Sequence, residues 1–143
     1  MLKIENQIEN LPEILILEDD KIFALLHKYL VEKVIKINPL LFTNGKEAID
    51  YLDARADKDS DVLVLLDINM PLMNGWEFLK TCKIRKYKFN VQAVLVTSSL
   101  FKEDRKRAKE FDEIRGFYTK PFKVEDLQEI FIQEKEERTF NYL

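Results

Sequence analysis

The sequence of 143 residues is poor in the residues that break or cross-link a chain, with three glycines, four prolines, one cysteine and one histidine. Because Cys82 is the single cysteine, no disulfide can form within the chain, which favours a reducing, cytoplasmic setting. The glycines Gly45, Gly75 and Gly116 are too far apart for a glycine-rich phosphate loop. Nucleotide-binding or flavin-binding modules built on such loops are therefore disfavoured.

Long hydrophobic runs and a strong excess of one charge are also absent. The longest apolar run, Val62 to Leu66, is far too short to cross a bilayer, and residues 1–13 lack the apolar centre of a signal peptide. Lys plus Arg number 23 and Asp plus Glu 26, and a net charge of −3 does not indicate a nucleic-acid partner. With 46% hydrophobic residues, the chain can bury one globular core.

Five short aliphatic runs predict buried strands, because unbroken runs of this length suit strands that are covered on both faces. The runs cover residues 14–17, 40–43, 62–66, 93–97 and 115–119. Five helices are predicted between and after them, beginning after Asp20 and Asn44 and near Gly75, Phe101 and Val124. Asp20 fits an N-cap, and Asn44 opens a pattern similar to a capping box.

The first helix carries apolar residues at three- and four-residue spacing, which places them on one face. They are Ile22, Leu25, Leu26, Tyr29, Leu30 and Val34. His27 lies off the stripe formed by Ile22, Leu26 and Leu30, so we expect it to be a solvated surface residue.

Alternation of strands and helices predicts an α/β fold, since parallel neighbouring strands need crossover connections. We expect a single domain over residues 13–134, with an N-terminal extension at 1–12 and a C-terminal tail at 135–143. A doubly wound sheet of five parallel strands commonly has the flavodoxin-like order 2-1-3-4-5. Ligands bind such sheets beyond the carboxyl ends of the strands, so the site is expected there.

Polar side chains follow four of the five predicted strands. Glu18 and Asp19 follow the first strand, Asp67 the third, Thr97 ends the fourth, and Lys120 follows the fifth. In the order 2-1-3-4-5 these four strands are contiguous, so the side chains should converge on one crevice. Such convergence indicates a site rather than scattered surface charge.

Three converging carboxylates repel one another and require a cation. Oxygen ligands favour Mg²⁺, which keeps several waters and leaves room for a phosphate oxygen. Lys120 would bind a second phosphate oxygen, and Thr97 offers a hydroxyl group. The set predicts phosphoryl transfer to Asp67, which needs no general base because its carboxylate is already ionised.

Four segments at these strand ends resemble the motifs of response-regulator receiver domains, in the same order. They are ILILEDD at 14–20, LLDINMPLMNG at 65–75, VLVTSS at 94–99 and YTKPF at 118–122. The resemblance extends over about residues 13–134. It implies a phosphoacceptor domain of a two-component system that catalyses only its own phosphorylation and dephosphorylation.

The resemblance also implies roles for individual residues. Asp67 would be the phosphoacceptor, and Lys120 would bind the phosphoryl group. For Mg²⁺, Asp19 would be a direct carboxylate ligand, Glu18 would act mainly through water, and the backbone carbonyl of Asn69 would be a further ligand.

Switching follows the same resemblance. Thr97 would turn to bond the phosphoryl group while Phe117, at a position where the family often has Tyr, rotates inward behind it. The Lys120–Pro121 peptide bond is expected to be cis. The surface of the fourth helix, fifth strand and fifth helix would then contact a partner.

The implied phosphodonor is a sensor histidine kinase or a histidine phosphotransfer protein. Because only about ten polar residues remain after Gln133, the output is expected to be a separate protein; whether the chain forms a homodimer stays open.

Three rival functions fit less well. A phosphatase of the haloacid-dehalogenase type needs a second Asp two residues after the nucleophile, where this chain has Asn69. A histidine phosphotransfer module that uses His27 would be all helical, which the strand-like runs oppose. A receiver-like module that binds partners without phosphorylation is opposed by the presence of Asp67, Thr97 and Lys120.

Overall fold

A computed structural model describes residues 12–55, 58–98 and 101–131 of the protein. The predicted C-terminal tail, nearly all of the N-terminal extension, and Ser99 of the VLVTSS motif lie outside these ranges. Strands and helices alternate along the chain as predicted. They are β1 (Glu13–Leu17), α1 (Lys21–Val34), β2 (Leu40–Phe42), α2 (Gly45–Ala54), β3 (Val62–Leu66), α3 (Gly75–Arg85), β4 (Val91–Thr97), α4 (Lys102–Ala108), β5 (Ile114–Thr119) and α5, at 124–131.

The five strands form one sheet in the order β2-β1-β3-β4-β5, and all four pairings are parallel. This confirms the predicted flavodoxin-like α/β fold. The order reverses at β1, which pairs with β2 on one side and with β3 on the other. The last residues of β1 and β3, Leu17 and Leu66, are register partners, so both strands deliver the next residue to the same edge.

Two hydrophobic layers cover the sheet, because alternate residues of each strand point to opposite faces. In β1, Leu15 and Leu17 join the layer that contains residues of α2 and α3. Ile14 and Ile16 join the other layer, in which Val31 of α1 and Leu127 of α5 are buried. All five residues of β3 are buried, as expected for the central strand of a doubly wound sheet.

The predicted orientation of α1 is wrong. Ile22, Leu25 and Tyr29 are 79%, 63% and 56% exposed, whereas His27 is only 1% exposed. The face that packs on the sheet contains His27 together with Ala24 and Val31. His27 tolerates burial because its ring is hydrogen-bonded and packed against aromatic side chains, which hydrophobic spacing alone does not reveal.

The helix starts are fixed by the expected caps and by one that the sequence analysis missed. Asp20 accepts hydrogen bonds from the backbone N–H groups of Ile22 and Phe23. Asn44 accepts from the N–H of Glu47, but the reciprocal capping box forms instead between Asn74 and Glu77 at the start of α3. Within the described residues, no helix has the length and apolar character needed to cross a membrane.

Candidate functional site

The carboxyl ends of β1, β3, β4 and β5 bring the predicted polar residues to one edge of the sheet. Asp67 is held by its backbone N–H, which donates to the carbonyl of Leu17 at 3.0 Å. The N–H of Lys120 donates to the carbonyl of Thr97, also at 3.0 Å. These bonds continue the parallel ladders one step beyond the strands and fix the backbone from which each side chain extends.

A buried ionic cluster occupies this edge. The ammonium nitrogen of Lys120 lies 2.5 Å from Oε1 of Glu18 and 3.1 Å from Oδ2 of Asp67. The side chains of Lys120, Glu18 and Asp67 are only 7%, 2% and 5% exposed. One cation therefore bridges two carboxylates that come from different strands, 49 residues apart in sequence (67 − 18).

Burial and neighbouring charges shift the pKa values of the groups in this cluster. Burial raises the pKa of Glu18 to about 7, with a further contribution from the charge of Asp67, while the hydrogen bond from Lys120 opposes the shift. Burial alone would lower the pKa of Lys120, but its hydrogen bond to Glu18 and the charge of Asp67 raise that pKa overall. The cluster thus favours the charged form of Lys120, whereas burial disfavours the ionised form of Glu18.

Asp19 adds a third carboxylate from the exposed side. Glu18, Asp19 and Asp67 can each offer one oxygen such that all three oxygens lie within 4.8 Å of one another. Asn69 is exposed nearby, and its N–H donates to Oδ1 of Asp67 at 3.3 Å. An all-oxygen group of this size suits a hard divalent cation such as Mg²⁺. The donor set therefore fits the predicted metal.

The two predicted switch residues lie on the adjoining strands. Thr97 is fully buried at the end of β4. Phe117 of β5 is half-buried and packs against the hydrophobic layer of α2 and α3, and the guanidinium of Arg105 lies over its ring, 5.0 Å from the centroid. Arg107 makes a similar contact with Trp76 at 4.9 Å. These contacts seat α4, whose only buried residue is Ala108.

Close packing behind the site explains why α3 begins with glycine. A Cβ on Gly75 would lie 2.8 Å from the carbonyl oxygen of Asp67 and 3.0 Å from the Cα of Ile68. Both are backbone atoms and cannot rotate away. The backbone that carries Asp67 therefore depends on a residue without a side chain at position 75.

We expect Gly75→Ala to lower the free energy of unfolding by about 1–3 kcal/mol, because the added methyl group forces the backbone at Asp67 and Ile68 to shift. Urea unfolding measures the change. Lys80→Ala, at an exposed position of α3, is the matched control and should stay within about 0.5 kcal/mol of the original protein. If the Gly75→Ala protein were as stable as the original protein, the backbone at Asp67 and Ile68 would be able to shift without a cost in free energy.

The loop after β5 and the adjoining face of α1 complete the site. The Lys120–Pro121 peptide bond is cis, as the sequence resemblance implied. Two residues beyond Lys120, the N–H of Phe122 donates to Nε2 of His27 at 3.2 Å. The ring of Phe23 lies beside the Lys120 ammonium, with 5.0 Å between nitrogen and centroid. Neither Phe23 nor His27 was singled out as a site residue, although both lie within ten residues of Glu18.

Comparison with known proteins agrees with this geometry. The sequence matches the family described as the response regulator receiver domain over residues 14–132. It is 26% identical over 108 residues to chemotaxis protein CheV2 of Helicobacter pylori, and 39% identical over 106 residues to sensor histidine kinase CheAY of the same organism. These alignments cover 76% and 73% of the chain, but only 34% and 12% of the two relatives.

Solved structures show the same likeness. The crystal structure of a two-component response regulator from Legionella pneumophila superposes with a TM-score of 0.72 at 29% identity, covering 88% of this chain and 99% of that one. The chain therefore belongs to the response regulator receiver domain family of two-component signalling.

Proposed function

We propose that residues 13–134 form a receiver that accepts a phosphoryl group on Asp67 in an Mg²⁺-dependent reaction. The observation that carries the proposal is the buried bridge of Lys120 between Glu18 and Asp67, with Asp19 close by. A nucleophilic carboxylate, a metal-binding acidic pair and a phosphate-binding cation are the components that transfer to Asp67 requires.

In the transfer step, a carboxylate oxygen of Asp67 forms a bond to phosphorus while the bond from phosphorus to the donor's leaving group breaks. The electron pair of that bond stays with the leaving group, which takes up a proton as it departs. The charge on the phosphoryl oxygens is then stabilised by the ammonium group of Lys120.

The metal would be held by the carboxylates of Asp19 and Asp67 and the backbone carbonyl of Asn69, with Glu18 contributing through water. When bound, Mg²⁺ supplies positive charge that stabilises the transferred group and reduces repulsion among the carboxylates. Phosphorylation moves the negative charge from the Asp67 carboxylate to the phosphoryl oxygens. The ion pair between Asp67 and Lys120 would then weaken, and the Lys120 ammonium group could contact the phosphoryl oxygens instead. Glu18 keeps Lys120 in the site meanwhile.

Switching is proposed to start at Thr97, whose hydroxyl turns toward the phosphoryl group, with Phe117 moving into the space behind it. Arg105 would then lose the ring over which it lies. Because Ala108 is the only buried residue of α4, the helix can shift at little cost in buried surface. The surface formed by α4, β5 and α5 is proposed to contact a separate downstream protein.

The proposed phosphodonor is a protein, a sensor histidine kinase or a histidine phosphotransfer protein. Large apolar side chains are exposed just beyond the carboxyl ends of β1, β3 and β4: Ile22 in the first turn of α1 at 79%, Leu72 in the loop before α3 at 80% and Phe101 at the start of α4 at 70%. Apolar groups arranged around a polar pocket favour docking of a protein over a small metabolite. A protein named as a sensor histidine kinase, CheAY, is among the relatives that this chain resembles, which is consistent with this class of pathway.

The proposal is tested by incubating the protein with acetyl phosphate, with and without Mg²⁺, and measuring its intact mass. One added phosphoryl group is expected only with Mg²⁺, and chelation of the metal should prevent it. Labelling of equal extent without the metal, or no labelling at all, would contradict the proposal.

The metal site is tested separately with Asp19→Asn. Loss of one carboxylate should raise the Mg²⁺ concentration needed for half-maximal labelling by about tenfold or more. Asp20→Asn is the matched control, since Asp20 is the neighbouring acid, caps α1, and can be replaced by Asn in that role. If both variants needed the same Mg²⁺ concentration as the original protein, Asp19 would not be a ligand.

A further inference from the structure

One face of α1 contacts the loop that follows β5. Phe23 and His27 are one helical turn apart, with ring centroids separated by 5.9 Å. Phe23 lies beside the ammonium group of Lys120, and the ring of His27 meets the ring of Phe122 edge-on at 6.0 Å. This α1 face therefore contacts both ends of the segment from Lys120 to Phe122.

The central contact is the hydrogen bond from the N–H of Phe122 to Nε2 of His27, at 3.2 Å. Both residues are 1% exposed, so neither group has water as an alternative partner. An imidazole nitrogen accepts only when it carries no proton, which places the ring proton on Nδ1. Burial, assisted by the charge of Lys120, lowers the pKa of His27 to about 4, so the ring is neutral at physiological pH.

The hydrogen bond from Phe122 to His27 lies at the end of the short turn that carries Lys120. The N–H of Lys120 is already bound to the carbonyl of Thr97. Pro121 has no N–H to donate, so the next backbone donor is that of Phe122. The turn that carries Lys120 is consequently held at one end by β4 and at the other end by His27 of α1.

We propose that His27 is a positioning residue for Lys120: by accepting the Phe122 amide, it fixes the turn that aims the Lys120 ammonium group at the phosphoryl group on Asp67. This rests on the proposed function and adds to it a residue that lies outside all four sequence motifs. The ring of His27 contacts Phe23 and Phe122, neither of which is a proposed metal ligand. Its effect should therefore fall on phosphoryl transfer and leave the Mg²⁺ requirement unchanged.

Two variants separate the acceptor from the bulk of the side chain. Leu at position 27 fills most of the space without an acceptor, whereas the Gln side chain carries a carbonyl oxygen near the position of Nε2. At saturating Mg²⁺, we expect His27→Leu to slow labelling by acetyl phosphate about 10- to 100-fold, and His27→Gln to stay within about threefold of the original protein. The half-maximal Mg²⁺ concentration should be the same in all three proteins.

The outcomes are distinct. If the original protein is labelled and His27→Leu is labelled equally fast, the positioning role is wrong while the proposed function stands. An equal loss in the Leu and Gln variants, or a changed Mg²⁺ requirement in His27→Leu, also overturns it, because either result indicates general distortion. No labelling of the original protein overturns the proposed function itself.

A measurement on the unaltered protein covers the case in which His27→Leu does not fold. Nitrogen NMR reports which ring nitrogen of His27 carries the proton, and a scalar coupling across the hydrogen bond would link Nε2 to the Phe122 amide. We expect an unprotonated Nε2 with that coupling at neutral pH. A protonated Nε2 would overturn the inference without any variant.

Discussion

Asp67→Asn should abolish labelling by acetyl phosphate, because the amide nitrogen and oxygen lack the negative charge that makes the carboxylate a nucleophile. The change is close to isosteric and also removes one of the two carboxylates bridged by Lys120. No added phosphoryl mass is expected after an incubation that labels the original protein fully. Intact mass spectrometry of both proteins, incubated in parallel with Mg²⁺, measures this.

The matched control is Asp59→Asn, an exposed acid on the segment before β3, at the opposite end of that strand from Asp67. It should be labelled at the rate of the original protein. Persistent labelling of the Asp67→Asn protein at another residue would show that the phosphoacceptor had been misassigned. The circular dichroism spectrum of the Asp67→Asn protein should match that of the original protein, since Asn occupies nearly the same volume as Asp.

Acid should destabilise the fold through His27. Its pKa is lowered from 6.5 to about 4 in the folded protein by burial and, secondarily, by the charge of Lys120. Between these pH values His27 is protonated in the unfolded chain but largely unprotonated in the folded protein, so the free energy of unfolding falls as the pH falls. Between pH 6.5 and 4, His27 alone is expected to lower the free energy of unfolding by about 2–3 kcal/mol.

Glu18 acts in the opposite direction. Its pKa is raised from 4.5 to about 7, so the folded protein binds this proton more readily and gains stability as the pH falls through that range. The contribution of His27 is therefore measured as the difference between the original protein and His27→Gln, both of which retain Glu18. Urea unfolding from pH 7 to pH 4 should give diverging stabilities, and parallel curves would exclude His27 as the cause.

The fold could be predicted because its signals are local. Runs such as Val62 to Leu66 are buried on both faces and need no partner to be recognised. Convergence of Glu18, Asp67 and Lys120 followed from strand order alone, since parallel strands end at the same edge. Which acid approaches Lys120 most closely was not predictable, because that depends on side-chain packing: it is Glu18, while Asp19 faces solvent.

The orientation of α1 was missed for a physical reason. Its most apolar stripe, which includes Ile22, Leu25 and Tyr29, is largely exposed, and a polar ring is buried instead. His27 can be buried because its acceptor is satisfied by Phe122, which is 95 residues away in sequence. A hydrogen-bond partner so distant in sequence cannot be predicted from the spacing of apolar residues in the helix. The Asn74 to Glu77 capping box, in contrast, has a spacing that could have been recognised from the sequence.

The sparse attachment of α4 determines which of its residues can be exchanged without disturbing the core. Six of its seven residues are not buried, and two cation–π contacts from its arginines seat it on Phe117 and Trp76. Substitutions on the outer side of this helix leave the hydrophobic layers intact. Under the proposed function, the residues by which α4 recognises a partner can therefore be exchanged while Asp67 and Lys120 keep their packing at the edge of the sheet.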